Sequence, residues 1–183
     1  MKKGDFMDNL IKIITDEDFG NKSINFNNPR VRFGARGIVI NKKGALAIFN
    51  KVNKNEYKLP GGGIDDNENP KEAFKREVLE ETGCEIEIIQ ELGTIEEHKS
   101  LDNFKQLSYV FVATVINETR ELDLTVKEKS EGAKLLWLDE NTALEKIENC
   151  INNLKASDYE NIYHSKFIVL RDKLILQYYL DSK

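Results

Sequence analysis

The chain has 183 residues, enough for one domain with a full core and a modest extension. Hydrophobic residues make up 40% and charged residues 32%, a globular composition with no apolar run long enough to cross a membrane. The formal net charge of −5 argues against a broad electrostatic grip on nucleic acid, so a polyanionic substrate would have to be neutralised by metal ions or by a few local Lys and Arg side chains.

Residues 1–29 are polar and rich in Asn, apart from the apolar cluster Leu10, Ile11, Ile13 and Ile14, and are expected to form an N-terminal extension with one short strand. No uninterrupted apolar stretch of signal-peptide type follows Met1-Lys2-Lys3, and Cys84 and Cys150 have no metal-ligand spacing. The expectation is a cytoplasmic chain with two free thiols, although the sequence leaves a disulfide between them open. Gly37–Ile40 and Ala45–Phe49 are short apolar runs separated by Asn41-Lys42-Lys43-Gly44, a hairpin signal. A short strand near Tyr57–Leu59 leads into Pro60-Gly61-Gly62-Gly63, read as a loop. Asn69 and Pro70 start a helix, Glu72 stands where a capping-box acid would, and Gly83 ends it.

Cys84, Ile86 and Ile88 alternate with Glu85 and Glu87, the pattern of a half-buried strand. Further strands are predicted at Leu107–Val115, with Leu107, Tyr109, Phe111 and Ala113 on one face, and at Lys134–Leu138. Two helices follow, one carrying Ala143, Leu144, Ile147, Ile151 and Leu154, the other Tyr163, Phe167, Leu170, Leu174 and Tyr178. Off the stripe of the last helix stand Ile168, Val169, Ile175, Leu176 and Tyr179. Apolar residues on more than one side imply burial between layers or in a homodimer. The whole order is that of an α/β protein with a mixed sheet and helices packed on it.

The chemistry concentrates on the helix from Pro70 to Glu81. Glu77, Glu80 and Glu81 are three and four residues apart and share one side, with Glu81 beside the apolar stripe of Phe74 and Val78. Like charges at this spacing repel by about 0.2–0.5 kcal/mol per pair. The C-terminal end of the helix dipole disfavours Glu80 and Glu81 by about 0.3–1 kcal/mol each. A bound cation reverses both penalties, and hard oxygen ligands suit Mg²⁺ or Mn²⁺. For three glutamates alone, a solvated acidic face is the commoner outcome, so the surrounding residues decide.

Gly62, Glu68, Arg76, Glu77, Val78, Glu80, Glu81 and Gly83 fit the template G-x5-E-x7-R-E-U-x-E-E-x-G-U, with U a bulky aliphatic residue. This resembles the signature of the Nudix hydrolases at every fixed position but the last, where Cys84 replaces an aliphatic residue and serves as a small hydrophobe. The resemblance implies a Nudix-type α/β/α sandwich with a C-terminal helical extension. The Nudix domain would span residues 30–140, with residues 141–183 packed on it as helices. It implies attack of water on a nucleoside diphosphate derivative, with Glu77, Glu80 and Glu81 as metal ligands. Glu68 would assist from an outer shell, Arg76 would orient a glutamate, and Gly62 and Gly63 would let the backbone approach the helix.

Arg36 and Lys58 flank the site and are candidates to hold substrate phosphates, against the plainer reading of surface cations. A late glutamate serves some relatives as ligand or base. Glu131 is the candidate for that role, with Glu128 the weaker one and an ordinary loop acid the alternative. Tyr57 or Phe33 could stack on a base, but strand aromatics are more often core, and His98 and His164 receive no role. Substrates of similar proteins include nucleoside triphosphates, ADP-ribose, nucleotide sugars and dinucleoside polyphosphates. A nucleotide-sensing module on the same fold usually carries a degraded box, and the box here is intact. An isoprenoid diphosphate isomerase would want a reactive cysteine at another position.

Overall fold

The computed structural model describes residues 9–119 and 121–183, so the first eight residues of the expected N-terminal extension and Arg120 lie outside it. The Asn41–Gly44 segment turns the chain back as its composition predicts. The Asn41 side-chain oxygen accepts from the amides of Lys43 (2.9 Å) and Ala45 (3.0 Å). That turn joins β2 (Arg30–Ile40) to β3 (Leu46–Lys51), which pair antiparallel from Ile40 opposite Leu46. β4 (Glu56–Lys58) extends the sheet beyond β3.

The apolar alternation after Gly83 continues much further than Ile88. β6 (Cys84–Lys99) and β7 (Phe104–Glu118) form one long antiparallel pair. β2 then runs parallel to β7 over its whole length. The apolar cluster of the N-terminal segment is β1 (Leu10–Thr15), which pairs parallel to β6 at the sheet margin. The order is β1-β6-β7-β2-β3-β4, with β5 (Gly61–Gly63) added to β2 and β8 (Ala133–Leu138) added to β3. Pro60–Gly63 therefore is not wholly the loop its glycines suggest. Gly61, Gly62 and Gly63 pair antiparallel with Arg36, Ala35 and Gly34. Three glycines carry no strand propensity of their own, and the free edge of β2 supplies the pairing instead.

The pleat sends alternate residues of the central strands into two cores. Ala35, Val39, Ala47, Phe111 and Ala113 face α1 (Pro70–Thr82), which contributes Phe74 and Val78. Ile38, Leu46, Ile48, Val110 and Val112 face the opposite layer, built by α3 (Glu140–Cys150) and α4 (Ile162–Asp181) through Ile147, Phe167, Ile175 and Leu176. The result is the expected α/β/α sandwich with a mixed sheet. A short α2 (Val126–Ser130) precedes β8. α3 ends at Cys150, earlier than its periodicity suggests, and Leu154 is buried from the segment that follows. Most of the second apolar side of α4 is satisfied within the chain, since Val169, Ile175, Leu176 and Tyr179 are buried and Ile168 is half-buried. That pattern therefore requires no partner copy. Among the described residues no helix is long and apolar enough to cross a membrane.

Candidate active site

α1 forms because both ends are closed. The Asn69 side chain accepts from the amides of Lys71 (3.0 Å) and Glu72 (3.1 Å), Glu72 returns a bond to the Asn69 amide, and Pro70 opens the first turn. Gly83, with φ 69°, closes the helix in the left-handed conformation. The last turns carry Glu77 and Glu81 to β5, while Glu80 stands near Arg76.

Gly62 lies directly beneath Glu77. A β-carbon at that position would sit 2.3 Å from the Glu77 carboxylate, so any other residue would push that carboxylate out of its place. The neighbouring Gly61 amide donates to Glu81 Oε2 (2.8 Å), while Lys58 Nζ donates to Glu81 Oε1 (2.8 Å). Glu81 is only 3% exposed. Burial pushes its carboxyl above the ordinary range, against the opposing charge of Lys58. Arg76 grips Glu68 with two parallel bonds of 2.9 Å, donates to Glu77 Oε1 (2.9 Å) and to the Gly63 carbonyl (3.0 Å), and stands 3.5 Å from Glu80. The hydrogen bonds from Arg76 hold Glu68 below its usual value. Arg76 thus orients three carboxylates and ties the helix to β5.

Part of this arrangement faces a cavity of about 650 Å³. Glu77, Glu81, Arg36, Lys58 and the three glycines of β5 line it, so the structure gathers most of the residues singled out from sequence. Glu68, Arg76 and Glu80 stand outside the lining, with Glu80 partly exposed. Glu131 does not line the cavity either. It is buried at the end of α2, where Lys51 Nζ lies 2.8 Å away and Ser157 donates to it (2.6 Å). Glu128, in the same short helix, does line it. Neither Phe33, exposed on β2, nor Tyr57, packed against the core, lines the cavity; the aromatic rings that do are Phe104 and His164. Both cysteines are free and buried, and burial raises their thiol pKa values, to about 11 for Cys150, so neither is placed as a reactive thiol.

The motif does not reveal that eight Lys or Arg and five Glu side chains line the cavity, which makes it cationic inside a chain of net charge −5. Lys99 of β6 and Arg171 of α4 belong to this wall. Their elements are far apart in sequence, and one local signal existed. Arg171-Asp172 is a charged pair in the middle of a helix that is apolar on several sides.

Among the described residues no three acidic, His or Cys side chains converge closely enough to enclose a metal ion. Two carboxylates, Glu77 and Glu81, are one helical turn apart and both face the cavity. Such a donor set fits a magnesium-like ion that takes one or two carboxylates and completes its shell with water and substrate phosphate. It does not fit a closed all-protein cage.

Carboxylates at the end of a helix, opening on a cation-lined cavity, define a site suited to hydrolysis of phosphate anhydrides. The NUDIX domain model matches residues 30–156, and the chain belongs to the Nudix family of hydrolases. The chain is 25% identical over 115 residues to an RNA pyrophosphohydrolase of Hydrogenovibrio crunogenus, covering 56% of this chain and 70% of that one. It is 32% identical over 111 residues to Nudix hydrolase 7 of Arabidopsis thaliana, covering 57% of this chain but only 38% of the plant protein. A Nudix hydrolase structure from Nitrosomonas europaea superposes with a TM-score of 0.59 at 14% identity, over 84% of this chain and 91% of that one, a likeness of fold. Membership implies pyrophosphohydrolase chemistry on a nucleotide derivative.

Proposed function

We propose that this chain hydrolyses a phosphoanhydride bond in a nucleoside diphosphate derivative with Mg²⁺ or Mn²⁺. The observation that carries the reading is the pair of carboxylates, Glu77 and Glu81, lining one cavity with Arg36 and with Lys58, which bonds Glu81 directly. Glu77 and Glu81 would hold the ion, with Glu80 joining from the rim, and the ion would supply charge neutralisation and an acidified water. Arg76 and Glu68 act as positioning residues. Arg36 and Lys58 receive substrate phosphate oxygens, and Gly62 and Gly63 keep the β5 backbone close to them. The proton acceptor is assigned to Glu128 rather than Glu131, because Glu128 reaches the cavity while Glu131 is engaged by Lys51 and Ser157.

The test is phosphate or pyrophosphate release from a panel of nucleoside triphosphates, ADP-ribose, nucleotide sugars and dinucleoside polyphosphates, with and without Mg²⁺ or Mn²⁺. The name of the Hydrogenovibrio relative adds a 5′-triphosphorylated RNA oligonucleotide to it. Metal-dependent cleavage of one class is the expected result. Tight nucleotide binding without any cleavage would replace hydrolysis by sensing.

A further inference from the structure

The inner wall of the cavity holds three cations from three different elements, Arg36 of β2, Lys99 of β6 and Arg171 of α4. They are 4%, 3% and 2% exposed. Burying a cation is costly unless an anion compensates it. Two carboxylates do so from behind the wall, and neither lines the cavity. Glu97 takes Lys99 (2.9 Å) and Arg171 Nη1 (2.8 Å), and Asp172 takes Arg171 Nε (2.7 Å). Among the described residues Arg36 has only the Ser108 hydroxyl, 3.2 Å from its Nε, and no carboxylate within ion-pair distance.

Three cations therefore share two carboxylates. Both terminal nitrogens of Arg36 and Nη2 of Arg171 have no protein acceptor among the described residues. The strain of this arrangement shows in Arg36, whose pKa is lowered to about 10 by burial and by the neighbouring charge of Arg171. Arg36 also feels the charge of Glu81, so it joins this wall to the carboxylate end of the cavity. Forked guanidinium donors beside an ammonium suit a tetrahedral oxyanion. Arg171 lies beyond residues 30–156, so the wall is completed by a helix outside the matched family domain.

We propose that Arg36, Lys99 and Arg171 form a second phosphate subsite, and that the substrate carries a phosphoryl group beyond the two joined by the scissile bond. The identity of the substrate rests on the hydrolytic reading above; the anion subsite does not. The extra group is either the next phosphate of a linear chain or a monoester elsewhere on the substrate.

Two measurements on the full chain test this. The first is calorimetric titration with inorganic phosphate in EDTA, for the wild type, Arg36→Gln and Lys99→Gln. Wild type is expected to bind phosphate, and each variant to bind it about tenfold or more weakly. Because Arg36 has no carboxylate to orphan, Arg36→Gln should lose phosphate affinity while its melting temperature holds or rises, which a merely structural arginine would not do. No phosphate binding by wild type, or equal affinity in a folded Arg36→Gln, overturns the subsite.

The second measurement compares kcat/KM with Mg²⁺ within matched pairs. The pairs are nucleoside diphosphate against triphosphate, and ADP-ribose against its 2′-phosphate. A preference for the more phosphorylated member of a pair, reduced in Lys99→Gln, is expected, and the pair that shows it says whether the group is linear or branched. Equal kcat/KM in both pairs overturns the substrate assignment. If nothing is cleaved, the hydrolytic reading fails while the titration still decides the subsite.

Discussion

Glu81 is buried, yet its two oxygens are held by Lys58 and by the Gly61 amide. That fixes the carboxylate beside Glu77 while burial works against its charge. A second cation at this point would favour the ionised form. Glu81→Gln keeps the shape and removes the charge. The expected outcome is a fall in kcat of roughly 10²–10⁴-fold with a native circular dichroism spectrum, and an unchanged rate would remove Glu81 from the metal site. The two later glutamates separate in the opposite way. Glu128 faces the cavity and, among the described residues, its carboxylate bonds only its own cap residue Thr125 (2.9 Å to the amide, 2.8 Å to the hydroxyl). Glu131 is buried against Lys51. Glu128→Gln should lower kcat by at least about tenfold with little change in melting temperature. Glu131→Gln should lower the melting temperature by several degrees instead, because it leaves Lys51 with a weaker buried partner. Kinetics and melting curves on the same preparations decide it, and the reverse pattern would return the proton acceptor to Glu131.

At the scale of elements, α1 is where sequence and structure agree most fully, because everything that makes it is local. The cap at Asn69, the proline after it and the stop at Gly83 are all read within a few residues, and so is the shared side of Glu77 and Glu81, while Glu80 stands outside the cavity. Asn69→Ala should therefore cost about 1 kcal/mol through the lost cap and lower the melting temperature by about 2–4 °C. Asn69 does not line the cavity, and the carboxylate it meets is that of the capping Glu72 rather than Glu77, Glu80 or Glu81, so kcat should stay at the wild-type value. A loss of activity larger than the loss of stability would show that the first turn also positions the catalytic end. β5 was not legible for the opposite reason. Its glycines pair because β2 offers an edge and because the Glu77 carboxylate occupies the space of a side chain at Gly62, and both causes lie outside the local sequence. The same holds for Lys99 and Arg171, which meet only once β6 and α4 pack together.

Over the whole molecule, the helical layer after β8 is bound to the sheet by charge as well as by apolar packing. Asp172 of α4 accepts from the Leu59 amide (2.9 Å), just ahead of the glycines that carry the Gly61 amide to Glu81. Arg171 reaches Glu97 of β6 (2.8 Å), and Glu160, just before α4, pairs with Lys54 (2.5 Å). Burial alone would raise both glutamates, but their cationic neighbours outweigh it and hold each at about 2. A carboxylate whose folded pKa lies below its unfolded value stabilises the fold above the unfolded pKa, and that stability is lost as pH falls through the folded one. The window here runs from the ordinary glutamate range, about 4.3, down to about 2. Urea melts at pH 7, 5 and 3 should show a stability nearly constant between the first two and clearly lower at the third. Glu97→Gln leaves Arg171 and Lys99 short of a buried counter-charge, so it should cost about 3–5 kcal/mol at pH 7 and also shrink the further loss between pH 5 and pH 3. Equal acid losses in variant and wild type would mean that Glu97 is not among the groups whose protonation loosens the helical layer, and the acid response would then fall to Glu160 and its lysines.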